Sequence, residues 1–267
     1  MCWDAFVGER RPSAIMMGAR GETMRQGGTV LVTGAARRIG RAIVERLADD
    51  GYAIAIHASA RSLPEAEGLA REIAARGGRA AALSADLADP AEAGGLVARA
   101  AAALGPLTHL VNSASIFEPD TAADFQADDF DRNMAVNLRA PLLLAQTFAA
   151  ALPAEAVGSI VNLIDQRVLR PDPHYFSYTI SKAALWAATR TMAQAFAPRV
   201  RVNAVGPGPV LPNQNEGQAA FDAEVAVAPL RRAVDVGEIA DAVAWLMKAP
   251  GVTGQMIAVD AGQHIAW

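Results

Sequence analysis

The chain has 267 residues, of which 52% are hydrophobic and 19% charged, and it carries a formal net charge of -4. High apolar content with low net charge excludes intrinsic disorder, and an isoelectric point near 5.6 without a basic stripe argues against a nucleic-acid partner. The length is enough for one large domain with a full core.

Cys2 is the one cysteine, so no internal disulfide can form, and no Cys/His cluster has the spacing of a metal site. No apolar run approaches the roughly 18 residues that a membrane span requires. The most apolar helical stretch, Val136 to Leu152, contains Arg139 and Pro141. Residues 1–27 mix Asp4, Glu9, Arg10, Arg11 and Arg20 with short apolar pieces and lack the core of a signal peptide. They read as a flexible N-terminal extension, with Met16, Met17 and Met24 as alternative starts, ahead of a single domain over 28–267. A soluble cytoplasmic protein is expected, with no membrane partner.

From residue 29 onward, short β-type runs alternate with longer helical ones. Thr29 to Thr33 reads as a buried strand, Ile39 to Asp50 as a helix, Tyr52 to His57 as a second strand and Pro64 to Arg76 as a second helix. Arg79 to Ser84, Pro90 to Leu104 and Leu107 to Asn112 continue the alternation, with Pro90 in the first turn of its helix. Two abutting helices are expected at Asp128 to Leu138 and Arg139 to Leu152. A strand at Val157 to Ile164, a long helix at Ser177 to Ala197 and a strand at Val200 to Val205 follow. The Pro/Gly-rich stretch from Gly206 to Gly217 reads as a mobile loop. Asp235 to Lys248 and Gln255 to Val259 supply the last helix and strand. Strict alternation of this kind implies a Rossmann-like, doubly wound α/β domain. Its seven-stranded sheet is mostly parallel, with helices on both faces.

Ligands of such sheets bind beyond the carboxyl ends of the strands. The first strand ends in Thr33-Gly34-Ala35-Ala36-Arg37-Arg38-Ile39-Gly40 and opens directly into a helix, a turn that lets a phosphate approach backbone N–H groups. Asp86-Leu87 and Asn112-Ser113-Ala114-Ser115 close two further strands on the same crevice. Strand two ends in His57-Ala58-Ser59-Ala60-Arg61-Ser62, with no acid to accept bonds from a ribose 2′-hydroxyl. His57, Ser59 and Arg61, with Arg37 and Arg38, suit a 2′-phosphate, and so NADPH (NADP+) rather than NADH.

Tyr178 and Lys182 stand four apart at the start of the long helix and share one face of it. An ammonium beside a phenol favours the phenolate and brings its titration toward the working range. Of the 24 basic residues only Lys182 and Lys248 are lysines, so one of the two falls at this position in a chain that otherwise uses arginine. Asp165, at the end of strand five, faces the same crevice or braces the loop that follows. Asn137 can hold a water or a backbone group near the lysine.

Together these residues, with Pro207-Gly208-Pro209, resemble the short-chain dehydrogenase/reductase family over roughly residues 28 to 267. Two departures from the general family pattern stand out: Arg38 replaces the middle glycine of the phosphate turn, and Asp165 replaces the catalytic serine. With Asn112 to Phe117 and the closing Asp260 to Ile265, these are similar to the pteridine reductase branch, which includes bacterial dihydromonapterin and dihydrofolate reductases. Ser113 stands where many members of that branch have a second asparagine, and the Gly206 to Phe221 loop carries no substrate signature.

The resemblance implies hydride transfer from NADPH to a C=N carbon of a pterin, with Asp165, Tyr178, Lys182 and Asn137 as the catalytic group. It implies that Lys182 holds the nicotinamide ribose, that Arg38 lies near cofactor phosphate and pterin, that Phe117 stacks on the pterin and that Ser115 contacts the substrate. It assigns Gly34, Arg37, Arg38, Ile39, Gly40, Asp86, Leu87, Asn112, Ser113, Ala114, Pro207 and Gly208 to the cofactor, and it implies a homotetramer. The long apolar helices and Trp267 fit buried interfaces. Two other readings stand beside it: a carbonyl or alcohol oxidoreductase of the same family, and a non-catalytic NADP(H)-binding sensor.

Overall fold

The computed structural model describes residues 27–213 and 216–266. Nearly all of the expected N-terminal extension, with Cys2 and the alternative start methionines, lies outside the described residues, as does Trp267. Seven strands form one sheet in the order β3-β2-β1-β4-β5-β6-β7, and all six neighbouring pairs are parallel. The strands are β1 (Thr29–Val32), β2 (Ala53–Ala58), β3 (Arg79–Ser84), β4 (His109–Asn112), β5 (Gly158–Leu163), β6 (Val200–Pro207) and β7 (Met256–Val259). Strand order reverses between β1 and β4, which opens a crevice beyond their carboxyl ends.

Alternation within the strands decides which layer each side chain joins. Val30 and Val32 of β1 and Ile54 and Ile56 of β2 face one layer, built with α1 (Arg38–Asp49), α2 (Leu63–Ala75) and α8 (Val236–Lys248). Leu31 and Ala55 face the other, built with α3 (Pro90–Leu104), α5 (Ala140–Ala151) and α6 (Phe176–Ala195). Both faces of the sheet are therefore covered, as continuous apolar strands require. The apolar stripe of α1 (Ile43, Val44, Leu47) is fully buried.

Two expectations change. The helices expected to abut at residues 138 and 139 are α4 (Ala127–Met134) and α5, joined through a π-helical turn at Ala135–Arg139. Pro141 has no N–H to donate to the carbonyl of Asn137 four residues earlier, so regular α-helical bonding is interrupted there. The stretch taken as a loop to residue 221 is shorter at both ends: β6 runs to Pro207, and α7 spans Gly217–Val227. α7 buries none of its residues, so it has no amphipathic stripe to mark it in the sequence.

Candidate active site

The turn after β1 is fixed by side chains and by missing side chains. Thr33 Oγ1 accepts the N–H groups of Ser113 and Ala114 at 3.0 and 3.1 Å and ties the end of β1 to the end of β4. Gly34 has a φ of +62°, and a Cβ there would meet the Ala114 Cα at 2.6 Å. A Cβ on Gly40 would meet the Gly34 carbonyl oxygen at 2.2 Å, so the helix can pack onto the turn only with glycine at that point. Arg38 holds a φ of +53°, the left-handed conformation that glycine adopts freely, at a cost of roughly 1–2 kcal/mol. Its guanidinium reaches across the crevice and donates to the carbonyl oxygens of Leu211 and Pro212 at 3.3–3.4 Å.

The resulting crevice has a volume of about 470 Å³. Gly34, Arg37, Arg38, Ile39 and Gly40 form one wall, His57 and Ser59 part of a second, and Asp86, Leu87, Ser113, Ala114 and Ser115 part of a third. Two expected members lie elsewhere. Asn112 is buried within the sheet and donates to Asn162 Oδ1 at 2.8 Å, because residue 112 is the last paired position of β4 and its side chain turns toward β5. Arg61 is exposed in a single-turn helix (Ala60–Ser62) and does not line the crevice. Ser62 stands there instead, its Oγ 3.1 Å from that of Ser59. His57 also departs from its expected basic role. It is buried and its pKa is lowered to about 4, chiefly by burial and also by Arg99, so it is neutral at pH 7.

Sequence reasoning also missed Arg132 and Val136, which lie one helical turn apart on the crevice-lining face. No acid stands at the end of β2, and Arg37, 3.8 Å from Glu65, remains largely exposed at the rim. The open glycine turn, the paired hydroxyls and the absence of a carboxylate beside them fit a dinucleotide with a 2′-phosphate.

A second cavity of about 210 Å³ adjoins the first, and Arg38, Ile39, Ser113 and Ser115 line both. Asp165, Tyr178, Lys182, Phe117, Pro207 and Gly208 also line it. Tyr178 donates its hydroxyl to Asp165 Oδ2 at 2.8 Å, while Asp165 Oδ1 accepts the Arg167 N–H at 2.8 Å. The carboxyl group thus braces the loop and faces the cleft at once. Lys182 Nζ donates to the Leu163 carbonyl at 2.8 Å and lies 5.6 Å from the centre of the Tyr178 ring.

The electrostatics differ from the expectation of a lowered phenol. Burial, then the Asp165 carboxylate, pushes Tyr178 well above its ordinary value. Burial also raises Asp165, opposed by the Arg167 N–H and the Tyr178 hydroxyl. Lys182 is lowered to about 8 by burial, with Asp165 opposing the shift. The proton therefore stays on the phenol at neutral pH, aimed at a carboxylate.

Asn137, in the π-helical turn, is fully buried. Its side chain clasps the Ile116 backbone, accepting its N–H at 2.8 Å and donating to its carbonyl at 2.9 Å. Asn137 Nδ2 also lies 3.1 Å from Ser181 Oγ, and Ser181 in turn donates to the Tyr178 carbonyl. Ser115 Oγ lies 3.2 Å from Asn137 Oδ1. Phe117 stacks parallel to Tyr175, with centroids 4.0 Å apart, and meets the edge of Tyr178 at 4.5 Å.

Tyr175 and Arg167 escaped sequence reasoning. Tyr175 is buried in the left-handed conformation just before α6, and its hydroxyl accepts from Asn213 Nδ2 at 2.6 Å. Arg167 covers both rings and pairs with Glu224 of α7 at 3.3 Å. Tyr175 was detectable as an aromatic three residues before Tyr178; Arg167 left no signal among so many arginines. Among the described residues no group of three or more His, Cys, Asp or Glu could hold a metal ion, and no helix is long and apolar enough to cross a membrane.

A family model described as enoyl-(acyl carrier protein) reductase matches residues 34–264. A short-chain type dehydrogenase/reductase of Picea abies is 33% identical over 251 residues, covering 89% of this chain and 92% of that protein. A 3-oxoacyl-[acyl-carrier-protein] reductase of Staphylococcus epidermidis is 30% identical over 242 residues, covering 89% and 99%. Among solved structures, FolM alternative dihydrofolate reductase 1 from Brucella canis, complexed with NADP, superposes with a TM-score of 0.85 at 47% identity, covering 91% of this chain and 97% of that one. A blue fluorescent protein from a metagenomic library, in complex with NADPH, gives 0.83 at 38% identity, covering 90% and 99%. With its parallel sheet, glycine turn and Tyr178–Lys182 pair, the chain belongs to the short-chain dehydrogenase/reductase family of oxidoreductases.

Proposed function

We propose that the protein reduces a C=N bond of a dihydropterin or dihydrofolate with NADPH. The observation that carries this reading is the Asp165–Tyr178 hydrogen bond at 2.8 Å, beside Phe117 in the cleft that joins the crevice. NADPH supplies the hydride to carbon, and one proton goes to the neighbouring nitrogen, leaving a CH–NH unit and NADP+. A carboxyl–phenol pair suits that proton better than a serine hydroxyl would, because a carboxyl group can itself gain and lose a proton, and burial raises Asp165 from its ordinary value.

Tyr178 delivers the proton and Asp165 orients the phenol or relays the proton to it. Lys182, a buried cation lining the cleft, holds the cofactor ribose and offsets the negative charge of Asp165. Phe117 and Tyr178 line the same cleft, so a flat substrate ring lies along these aromatic walls, with Ser115 beside it. Arg38 reaches both cavities and serves cofactor phosphate and substrate together. Two Brucella FolM structures with NADP, at 47% and 48% identity, support the substrate class. On this reading residues 28–267 are the catalytic unit of a cytoplasmic homotetramer.

The test is NADPH oxidation with dihydromonapterin, dihydrobiopterin and dihydrofolate beside a panel of ketones and sugars. Turnover confined to the pterins and folate is expected. Turnover of ketones alone would assign the chain to the carbonyl reductases that its relatives at 30% identity represent. Tight NADPH binding without oxidation across the panel would make it a sensor.

A further inference from the structure

The buried imidazole of His57 joins two walls of the cofactor crevice. Its Nδ1 accepts the Gly34 N–H at 3.1 Å, and its Nε2 lies 3.1 Å from the Ala85 carbonyl oxygen. A backbone N–H only donates and a carbonyl only accepts, so Nδ1 is bare and Nε2 carries the proton. The adjoining backbone repeats the pattern: the His57 carbonyl accepts the Ala35 N–H at 2.9 Å, and the Ala58 carbonyl accepts the Ala85 N–H at 3.2 Å. Two neighbouring residues of β2 thus hold the glycine turn on one side and the backbone just before Asp86 on the other. The Gly34 and Ala35 amides are spent on this tie, which leaves the amides further along the turn to meet a phosphate.

We infer that His57 is a positioning residue for the dinucleotide, setting the conformation of the phosphate turn through the Gly34 N–H rather than touching the cofactor with a charge. The inference rests on the NADPH reading above. Gly34 sits at a left-handed φ with the Ala114 backbone pressed against it, so the turn has one packed arrangement. The imidazole is the side chain that holds the Gly34 amide in it. A charged imidazole would present a second N–H to that amide. Burial accordingly keeps the ring neutral.

Two conservative variants separate this role from a merely structural one. In His57→Asn, Oδ1 falls near the place of Nδ1 and can still accept from Gly34. In His57→Gln, the amide reaches toward Ala85, and the Gly34 acceptor is lost. Both remove buried ring volume and both should lower Tm. NADPH titration by fluorescence should show Kd raised about tenfold in His57→Gln, and less than about threefold in His57→Asn. The KM for NADPH should follow Kd, while the KM for the acceptor should not move. Equal Kd values in the two variants, whatever their Tm, would overturn the inference. Should either variant fail to fold, nitrogen NMR of the wild-type imidazole decides: an Nε2–H tautomer with an exchange-protected Gly34 amide supports the role, and an Nδ1–H tautomer overturns it. A wild-type chain that binds no NADPH would overturn the cofactor reading itself.

Discussion

The two halves of the site solve opposite electrostatic problems. The cofactor crevice is shaped by backbone, glycine and hydroxyl groups, and its one buried ionisable side chain, His57, is kept neutral. The catalytic cleft gathers Asp165, Tyr178 and Lys182 around about 210 Å³, and all three are displaced from their ordinary pKa values. A surface that must hold a multiply charged ligand gains from not titrating. A site that must move a proton gains from environments that set its ionisable groups apart, and here Lys182 comes down to about 8 while Tyr178 is held protonated. Binding and turnover should therefore come apart under mutation and under pH.

The largest separation is expected from Asp165→Ala. Loss of the carboxyl group leaves the buried Tyr178 hydroxyl without its acceptor and removes one member of the proposed proton-transfer pair. Turnover of the proposed pterin substrate should fall by roughly 10²–10⁴-fold. The Kd for NADPH should stay within about threefold, because Asp165 lines the cleft and not the crevice. Parallel measurement of kcat and of NADPH fluorescence checks both halves, and undiminished turnover would remove Asp165 from the mechanism.

That contrast was only partly legible in the sequence. Glycine and the small residues of the turn are constrained by backbone geometry, so Gly34 and Gly40 stand in the sequence as plainly as in the structure. The i, i+4 spacing likewise put Tyr178 and Lys182 on one face of α6, four residues apart in a single helix. Charge states were not legible. His57 read as a basic group for a phosphate, yet its role follows from burial and from two backbone partners distant in the chain. Lys182 was expected to lower the Tyr178 phenol, but it bonds the Leu163 carbonyl and the nearer Asp165 acts in the opposite sense. The side chains of Asn112 and Arg61 lie outside the crevice wall, because the sequence does not say which way residues at a strand end or in the turn after it point. α7 was hidden because nothing in it is buried. Tyr175 and Arg167 are defined by contacts with Phe117 and α7, which only the folded chain brings together.

A smaller effect tests how the protein's buried neutral histidines respond to acid. His57 and His109 both have pKa values lowered from 6.5 to about 4, chiefly by burial. Between those pH values the unfolded chain binds more protons than the folded one, so stability falls as pH drops from 6.5 toward 4. Each group contributes a loss of roughly 3 kcal/mol across that window. Thermal melts should show Tm decreasing steadily over this range and level between pH 6.5 and 7.5 as far as these groups govern it. In His57→Gln the acid slope should shrink, since one of the two groups is gone. An unchanged slope would mean that the imidazole is already charged in the folded chain.

The smallest effect, and the one that probes whether the halves are separable at all, lies at Arg38. Its side chain lines both cavities and its guanidinium ties the phosphate turn to the backbone of Leu211 and Pro212 beyond β6. Arg38→Gly relieves a left-handed conformation worth roughly 1–2 kcal/mol. It also loosens the unfolded chain by roughly 0.5–1 kcal/mol and gives up exposed hydrogen bonds of similar worth. The terms nearly cancel, so Tm should move by only a few degrees, about what 1 kcal/mol produces in a chain of this size. Function should respond differently from Asp165→Ala: Kd for NADPH and KM for the acceptor should rise together by about three- to tenfold, with kcat little changed. A rise in only one of them would show that Arg38 serves one cavity, and the crevice and the cleft would then be independent sites sharing a wall.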